Sequence, residues 1–396
     1  MHSLILTFFI ISSLLCVILD ANAYFPPPLK QISHGVLLES VTCTEGHTLV
    51  IKTTNNLPAC VYFTSVDILI QRGWAMNSIS ISSLDTSSSH LYNVNSEHKI
   101  AEKAQAILDY ALEKEHSELE GEYIEAPTDD GYQIAFYDIS ENNIILSELP
   151  KLPSNLLHWQ KDIEKHQEIW DIFTKLIPES QRNVNVFYIT TDGFGGIGGG
   201  IERDVDDVSK WHLFYDISDA YPTEIIDDKE IIYTTIHEFG HIITSGLDQI
   251  DVDLELTNLL YSDDVNETEL DELFQITSEK CFPKTMVADG CAKSDSYINI
   301  FYQKFWADII SEWDEMQYIE NEDEFLDQSD LFYDKYQNRF LTIYSSTNID
   351  EDIAESWAAF VLRDKPKDET MFEQKILFFY DFPELVDLRE HIRQGL

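Results

Sequence analysis

The chain has 396 residues, with 72 acidic against 26 basic side chains and a formal net charge of −46. Such a surface repels phosphate, which argues against nucleic acid or an anionic membrane as partner and suits a molecule kept soluble by self-repulsion. The length allows two or three domains.

Residues 4 to 19 are almost wholly apolar and run to Ala21, Asn22 and Ala23, an A-x-A cleavage pattern. Residues 1–23 therefore read as a signal peptide, and a mature chain starting near Tyr24 is expected outside the cell. No Lys or Arg precedes the apolar run, and Leu14-Leu15 ahead of Cys16 argues against a lipid-anchored cysteine. No later stretch is apolar enough to span a bilayer. Export permits disulfides, and four cysteines remain: Cys43, Cys60, Cys281 and Cys291. Of the three possible connectivities, Cys43–Cys60 and Cys281–Cys291 are expected, because each closes a short local loop. C-x-x-C spacing, the mark of a thiolate metal site, is absent.

Residues 24–78 read as a small cysteine-paired module with short strands at Thr48–Thr53 and Cys60–Phe63. Pro58–Val61 (PACV) and Leu69–Trp74 (LIQRGW) resemble a cysteine-paired module in exported proteins of ammonia-oxidising archaea, which implies an address rather than a chemistry. Residues 79–96 are Ser-rich and polar, a linker by composition. Helical periodicity follows at Glu97–Leu119 and Leu157–Ile177, with a strand-like Gly131–Ile139 between them. Asn183–Thr190 (NVNVFYIT) and Trp211–Ile217 (WHLFYDI) alternate as strands. Between them, Gly193, Gly195 and Gly198 satisfy G-x-G-x-x-G, but no helix follows and the acidic run Glu202–Asp207 would repel a pyrophosphate. A flexible lip over a cleft is expected there instead of a dinucleotide site.

His237-Glu238-Phe239-Gly240-His241 is an H-E-x-x-H motif inside the apolar run Ile231–Ile243, and no other two histidines are four apart. Asp227 and Asp228 can cap a helix here, and Gly246 ends it. Positions i and i+4 share a helix face, so both imidazoles can hold one metal ion while Glu238 reaches a water upon it. The bland alternative is a buried helix whose histidines merely pack or hydrogen-bond. A catalytic zinc site needs a third protein ligand. Thr244 and Leu247 stand where a metzincin has Gly and His, so that ligand must lie elsewhere. The acidic clusters 248–255, 263–272 and 320–330 match no EF-hand loop, so solvated acid is expected there and structural calcium has no supporting motif. Asn266-Glu267-Thr268 is a lone glycosylation sequon. Tyr297–Trp313 reads as one helix with an apolar core face. Asn348–Phe360 (NIDEDIAESWAAF) reads as a capped helix on which Glu351 and Glu355 share a face. Glu351 can bind the metal while Glu355 accepts the free ring N–H of a ligand histidine.

HEFGH followed by EDIAE resembles the gluzincin kind of zincin, in which Glu is the third ligand. The pattern is similar to that of the anthrax lethal factor and Pro-Pro endopeptidase group and their secreted prokaryotic relatives. In that group a tyrosine seven residues before the ligand glutamate donates to the oxyanion, and Tyr344 stands at that position here. The HEFGHxxT continuation is also met, by Thr244. The resemblance covers residues 185–363, its specific part being about twenty positions. His241 and Glu351 are 110 residues apart, more than in compact members, so an insertion lies between them. In zincins the strand before the active-site helix is the sheet edge that receives a peptide by strand addition. The resemblance assigns that part to Trp211, His212, Leu213, Phe214 and Tyr215.

The expectation is thus an α+β chain with a zincin-like domain at 97–396: a small mixed sheet, an active-site helix and a C-terminal helical subdomain. One zinc per chain on His237, His241 and Glu351 would lower the pKa of its water toward about 7 and polarise a carbonyl. Glu238 would move the proton and Tyr344 would hydrogen-bond the oxyanion of a peptide or protein substrate. The rivals are a non-catalytic surface-binding or adhesion protein that keeps the fold, a metal-dependent hydrolase of non-peptide bonds, and an inert structural protein.

Overall fold

Period-two alternation of apolar residues around Tyr132 and Val184 builds the sheet on which the second half of the molecule rests. The structure is a computed structural model describing residues 31, 36, 41–43, 47–52, 58–62, 75–77, 89–115, 131–262, 266–317, 319, 321–367 and 370–396. The stretch read as a signal peptide lies outside these residues. The chain divides into two compact units, residues 1–98 and 99–396.

In the first unit, β1 (His47–Lys52) pairs antiparallel with both β2 (Pro58–Tyr62) and β3 (Ala75–Asn77), and Cys43 is bonded to Cys60. Helix α1 (Ser89–Glu115) starts earlier than expected. Residues 89–96, read as linker, are helical, because the stretch is polar but holds neither Gly nor Pro to interrupt a helix. Residues 79–88 lie outside the described residues.

The second unit is a mixed α/β assembly. Its five-stranded sheet has the order β5-β4-β6-β8-β7, formed by β4 (Tyr132–Ser140), β5 (Asn143–Glu148), β6 (Val184–Thr191), β7 (Gly199–Arg203) and β8 (Trp211–Asp216). The β6–β8 pair is parallel and all the others are antiparallel. Leu157–Lys161 and α2 (Ile163–Leu176) replace the single expected helix, breaking at Asp162. Helix α2 buries Ile169, Trp170 and Phe173 in a core shared with Phe187, Leu213 and Tyr215 of the sheet.

The substrate-edge assignment to Trp211–Tyr215 is corrected by this topology. Strand β8 is paired on both sides, to β6 and to β7, so its backbone has no free edge; among the described residues the edge on that side of the sheet is β7. The glycine-rich segment is accordingly not a loose lip. Its second half is β7, and its first half is a turn held by acids: Asp216 accepts from the Asp192 amide at 2.7 Å, Asp219 from Gly195 at 2.8 Å and Asp192 from Ile197 at 3.0 Å. Burial pushes Asp216 up to about 8 and Asp219 up to about 6.

Beyond the sheet, α3 (Asp228–Thr244) carries the H-E-x-x-H motif. There follow β9 (Ile250–Val252), α4 (Leu254–Leu260), α5 (Glu267–Cys281), β10 (Met286–Val287) and β11 (Gly290–Ala292). The short strands form a sheet of order β10-β11-β9, and Cys281 is bonded to Cys291. Two polar residues of this region serve as helix caps: Asp253 accepts from the Glu255 and Leu256 amides, and Asn266 of the sequon accepts from the Glu269 amide. The C-terminal part is helical: α6 (Tyr297–Phe305), α7 (Ile310–Met316), α8 (Glu322–Tyr336), α9 (Ile349–Leu362), α10 (Met371–Phe379) and α11 (Pro383–Gly395). The expected helix 297–313 breaks after Phe305, where Trp306 turns into the core and donates its indole N–H to Asp352 at 2.7 Å.

Helix α9 packs on α3 through Gly240. A Cβ there would lie 3.0 Å from Trp357 Cδ1 and 3.1 Å from Ala354 Cα, so glycine permits the close approach. Behind α9, Asp352 and Lys375 form a fully buried ion pair at 2.5 Å. Removing one member strands the other in the core at a cost of about 3–5 kcal/mol. Lys375→Met is expected to lower the unfolding free energy by that amount in chemical denaturation; a loss below about 1 kcal/mol would show that the pair is dispensable.

Candidate metal centre

Helix α3 is started by Asp227, whose carboxylate accepts from the Lys229 and Glu230 amides. Tyr110 of α1 donates to the same carboxylate at 2.8 Å, and Lys114 pairs with Glu230 at 2.9 Å. The helix start is therefore anchored, and one turn further on Tyr233, His237 and His241 follow at four-residue spacing.

On α9, Asn348 caps the helix by accepting from the Glu351 amide at 2.9 Å, which fixes the first turn and the direction of Glu351. Its Oε2 lies 3.1 Å from His237 Nε2 and 3.4 Å from His241 Nε2, while the two imidazole nitrogens are 3.1 Å apart. His237, His241 and Glu351 thus form a group that could hold a metal ion, their ligand atoms all within 4.8 Å of one another; it is the one such group among the described residues.

Glu355, one turn further along α9, accepts from His237 Nδ1 at 2.9 Å, from Tyr233 at 2.7 Å and from Thr342 at 3.1 Å. An ionised carboxylate can only accept, so His237 carries its proton on Nδ1 and turns the Nε2 lone pair toward Glu351 and His241. The two Nε2 atoms of His237 and His241, 3.1 Å apart, share either a proton or a cation between them. The donor set of two imidazoles and one carboxylate suits a transition-metal ion.

The electrostatics agree. Burial opposes charge on His237, but hydrogen bonds to Glu351 and Glu355 outweigh it and raise its pKa well above the usual value. His241 is raised by Glu351 against the same burial. Burial would raise Glu351, yet the two histidines hold it well below the usual range. Glu238 is buried at 7 % exposure, and burial raises its pKa against the pull of both histidines. Tyr344 sits on a short 3-10 turn, its ring 6.0 Å from that of His237. That turn is tied to Thr342, which accepts from the Ser345 amide at 3.0 Å and donates to Glu355. Partial burial (the residue is 48 % exposed) and the carboxylates of Glu351 and Glu238 raise the Tyr344 pKa, so the phenol keeps its proton.

His237, Glu238, His241, Glu351, Glu355 and Tyr344, singled out in the sequence, therefore converge. Trp211–Tyr215 lies one strand further from the cleft edge. Tyr233 and Thr342 were missed; Tyr233 was detectable as the residue one turn before His237 on the same helix, whereas Thr342 carries no local signal.

No family model, curated protein or solved structure matches the chain. The two disulfides fit an extracellular protein. Among the described residues no helix is long and apolar enough to cross a membrane.

Protons and metal compete for the same nitrogens. Both histidine pKa values are raised, so these sites stay protonated above pH 6.5, where ordinary histidines have lost their protons. Metal affinity is therefore expected to keep climbing as pH rises above 6.5, about tenfold per unit for each proton displaced. Titration calorimetry at several pH values in buffers of different ionisation enthalpy measures this; an affinity flat above pH 6.5 would contradict it.

Proposed function

We propose that this chain is an exported zinc-dependent peptidase of the zincin type, using Glu as its third metal ligand. The observation that carries the reading is the convergence of His237, His241 and Glu351 on one point, with Glu238 on the same helix, which lies against β7, a sheet edge among the described residues.

Each protein group has a task suited to its chemistry. His237 and His241 supply neutral nitrogen donors, and Glu351 supplies the negative charge that leaves one net positive charge at the centre. Zinc held there would act as a Lewis acid toward a water and a carbonyl. Glu238, in a site that already raises its proton affinity, takes the proton from the attacking water and returns it to the leaving amine. Tyr344, kept protonated by its neighbours, donates a hydrogen bond to the carbonyl oxygen as negative charge grows on it. Glu355 holds His237 in the required tautomer. Strand β7, the sheet edge on this side among the described residues, is where an extended peptide would add.

The roles separate by mutation. Glu351→Ala is expected to lose both zinc and peptide turnover. Glu238→Gln keeps the shape and the metal and loses about 10²- to 10⁴-fold in kcat, since an amide cannot take the proton. Tyr344→Phe loses about 10²- to 10³-fold in kcat with little change in KM, because its hydrogen bond strengthens in the transition state. Zinc stoichiometry and steady-state kinetics on casein-derived peptides check all three. Full turnover by Glu238→Gln would refute the assignment of the base.

A further inference from the structure

A cleft of about 680 Å³ lies on the side of α3 turned away from the metal group. Ile242, Gly246 and Ile243 line it, and on a helix they stand roughly 100°, 140° and 200° around the axis from His241. Trp211 of β8 and Leu385 and Leu388 of α11 complete its apolar floor. The volume is that of a small-molecule site, about 300–1,000 Å³. None of the six residues that converge around the metal group borders it.

The rim is acidic. Asp248 stands just beyond α3, and Gly246 makes room for it: a Cβ there would lie 2.8 Å from Asp248 Oδ1. Glu384 and Asp387 come from the first turns of α11 at a spacing of three, on the face that also carries Leu388. The basic side chains of α11 turn elsewhere. Arg389 donates to the Phe360 carbonyl at 2.7 Å, and Arg393 to the Val361 carbonyl at 2.9 Å.

Among the described residues none of the three rim carboxylates has an ion-pair partner. Asp248 accepts from the Gln249 side-chain amide at 2.8 Å, and Glu384 from the Tyr297 hydroxyl at 2.7 Å. Arg203 is the one Lys or Arg in the lining, and it is not available to them. It is 1 % exposed, donates to the carbonyls of Val208 at 2.7 Å and Ser245 at 2.6 Å, and pairs with Asp289, which also accepts from Tyr261. Lys293, outside the lining, is turned to the Leu247 carbonyl.

These features narrow the ligand. An anion would meet uncompensated carboxylates. A bare metal ion lacks a close ligand set here, because among the described residues the one such group is that of His237, His241 and Glu351. A neutral apolar molecule would cover the floor but strip water from the carboxylates beside it. An aliphatic chain with ammonium groups at intervals satisfies both parts. Its methylenes cover the floor while its charges reach Asp248 on the α3 side and Glu384 and Asp387 on the α11 side. We propose that this cleft binds a linear aliphatic polyamine. The inference is independent of the peptidase reading.

Titration calorimetry of the full-length protein with 1,4-diaminobutane, 1,8-diaminooctane and spermidine tests it. Spermidine is expected to bind once per chain. Going from four methylenes to eight should tighten diamine binding at least tenfold, since each buried methylene contributes. The Glu384→Gln/Asp387→Asn double variant should weaken spermidine at least tenfold. Glu324→Gln/Asp327→Asn, which removes the same charge from exposed positions of α8, should leave it within about twofold. General attraction to a chain of net charge −46 predicts the opposite: many weak sites, no dependence on chain length and equal effects of the two double variants. Any of those results, or no binding, overturns the proposal. The diamine series on the wild type decides it even if the α11 variant fails to fold.

Discussion

The contact that the site depends on most is the close approach of α3 and α9 at Gly240. With Ala354 Cα and Trp357 Cδ1 about 3 Å from where a Cβ would stand, the two helix axes come near enough for Glu351 to reach both histidines. A larger residue would push α9 outward, and a shift of a few tenths of an ångström there is felt directly at donor atoms only 3.1–3.4 Å apart. The motif glycine therefore serves geometry, bringing Glu351 within reach of His237 and His241.

Around that contact the molecule handles an unusual excess of acid by giving many carboxylates a structural task. Asp227 and Asp253 cap helices, Asp216 and Asp219 hold the turn before the edge strand, and Asp352 meets Lys375 in the core. Glu355 gathers three donors and so stiffens His237 and the Tyr344 turn together. The candidate metal ligands are thereby held from behind by groups that themselves have few alternatives, as preorganised sites require.

Much of this was legible locally. The motif helix with its cap at Asp227 or Asp228, the Glu351 helix with its cap at Asn348 or Asp350, and both cysteine pairs follow from short-range pattern; the structure uses Asp227 and Asn348. What was missed depends on pairing at a distance. Gly199–Arg203 has little strand propensity and becomes the sheet edge only because β8 lies beside it, which displaced the edge from Trp211–Tyr215. Strand β5 is mostly exposed and shows no clean alternation; Glu141 and Asn142, both at positive φ, mark its hairpin turn. The helix expected across 297–313 breaks without Gly or Pro because burying Trp306 against Asp352 outweighs helix propensity. Arg203, Asp289 and Tyr261 are far apart in sequence and share no motif.

The central claim is that His237, His241 and Glu351 hold one zinc ion. Elemental analysis of the purified protein, followed by zinc-edge X-ray absorption on the same sample, addresses it most directly. The account predicts about one zinc per chain, bound by nitrogen and oxygen at about 2.0–2.2 Å, with two imidazoles and no sulfur. A protein free of metal after purification that also fails to take up added zinc, or a zinc ion ligated by sulfur, would contradict it.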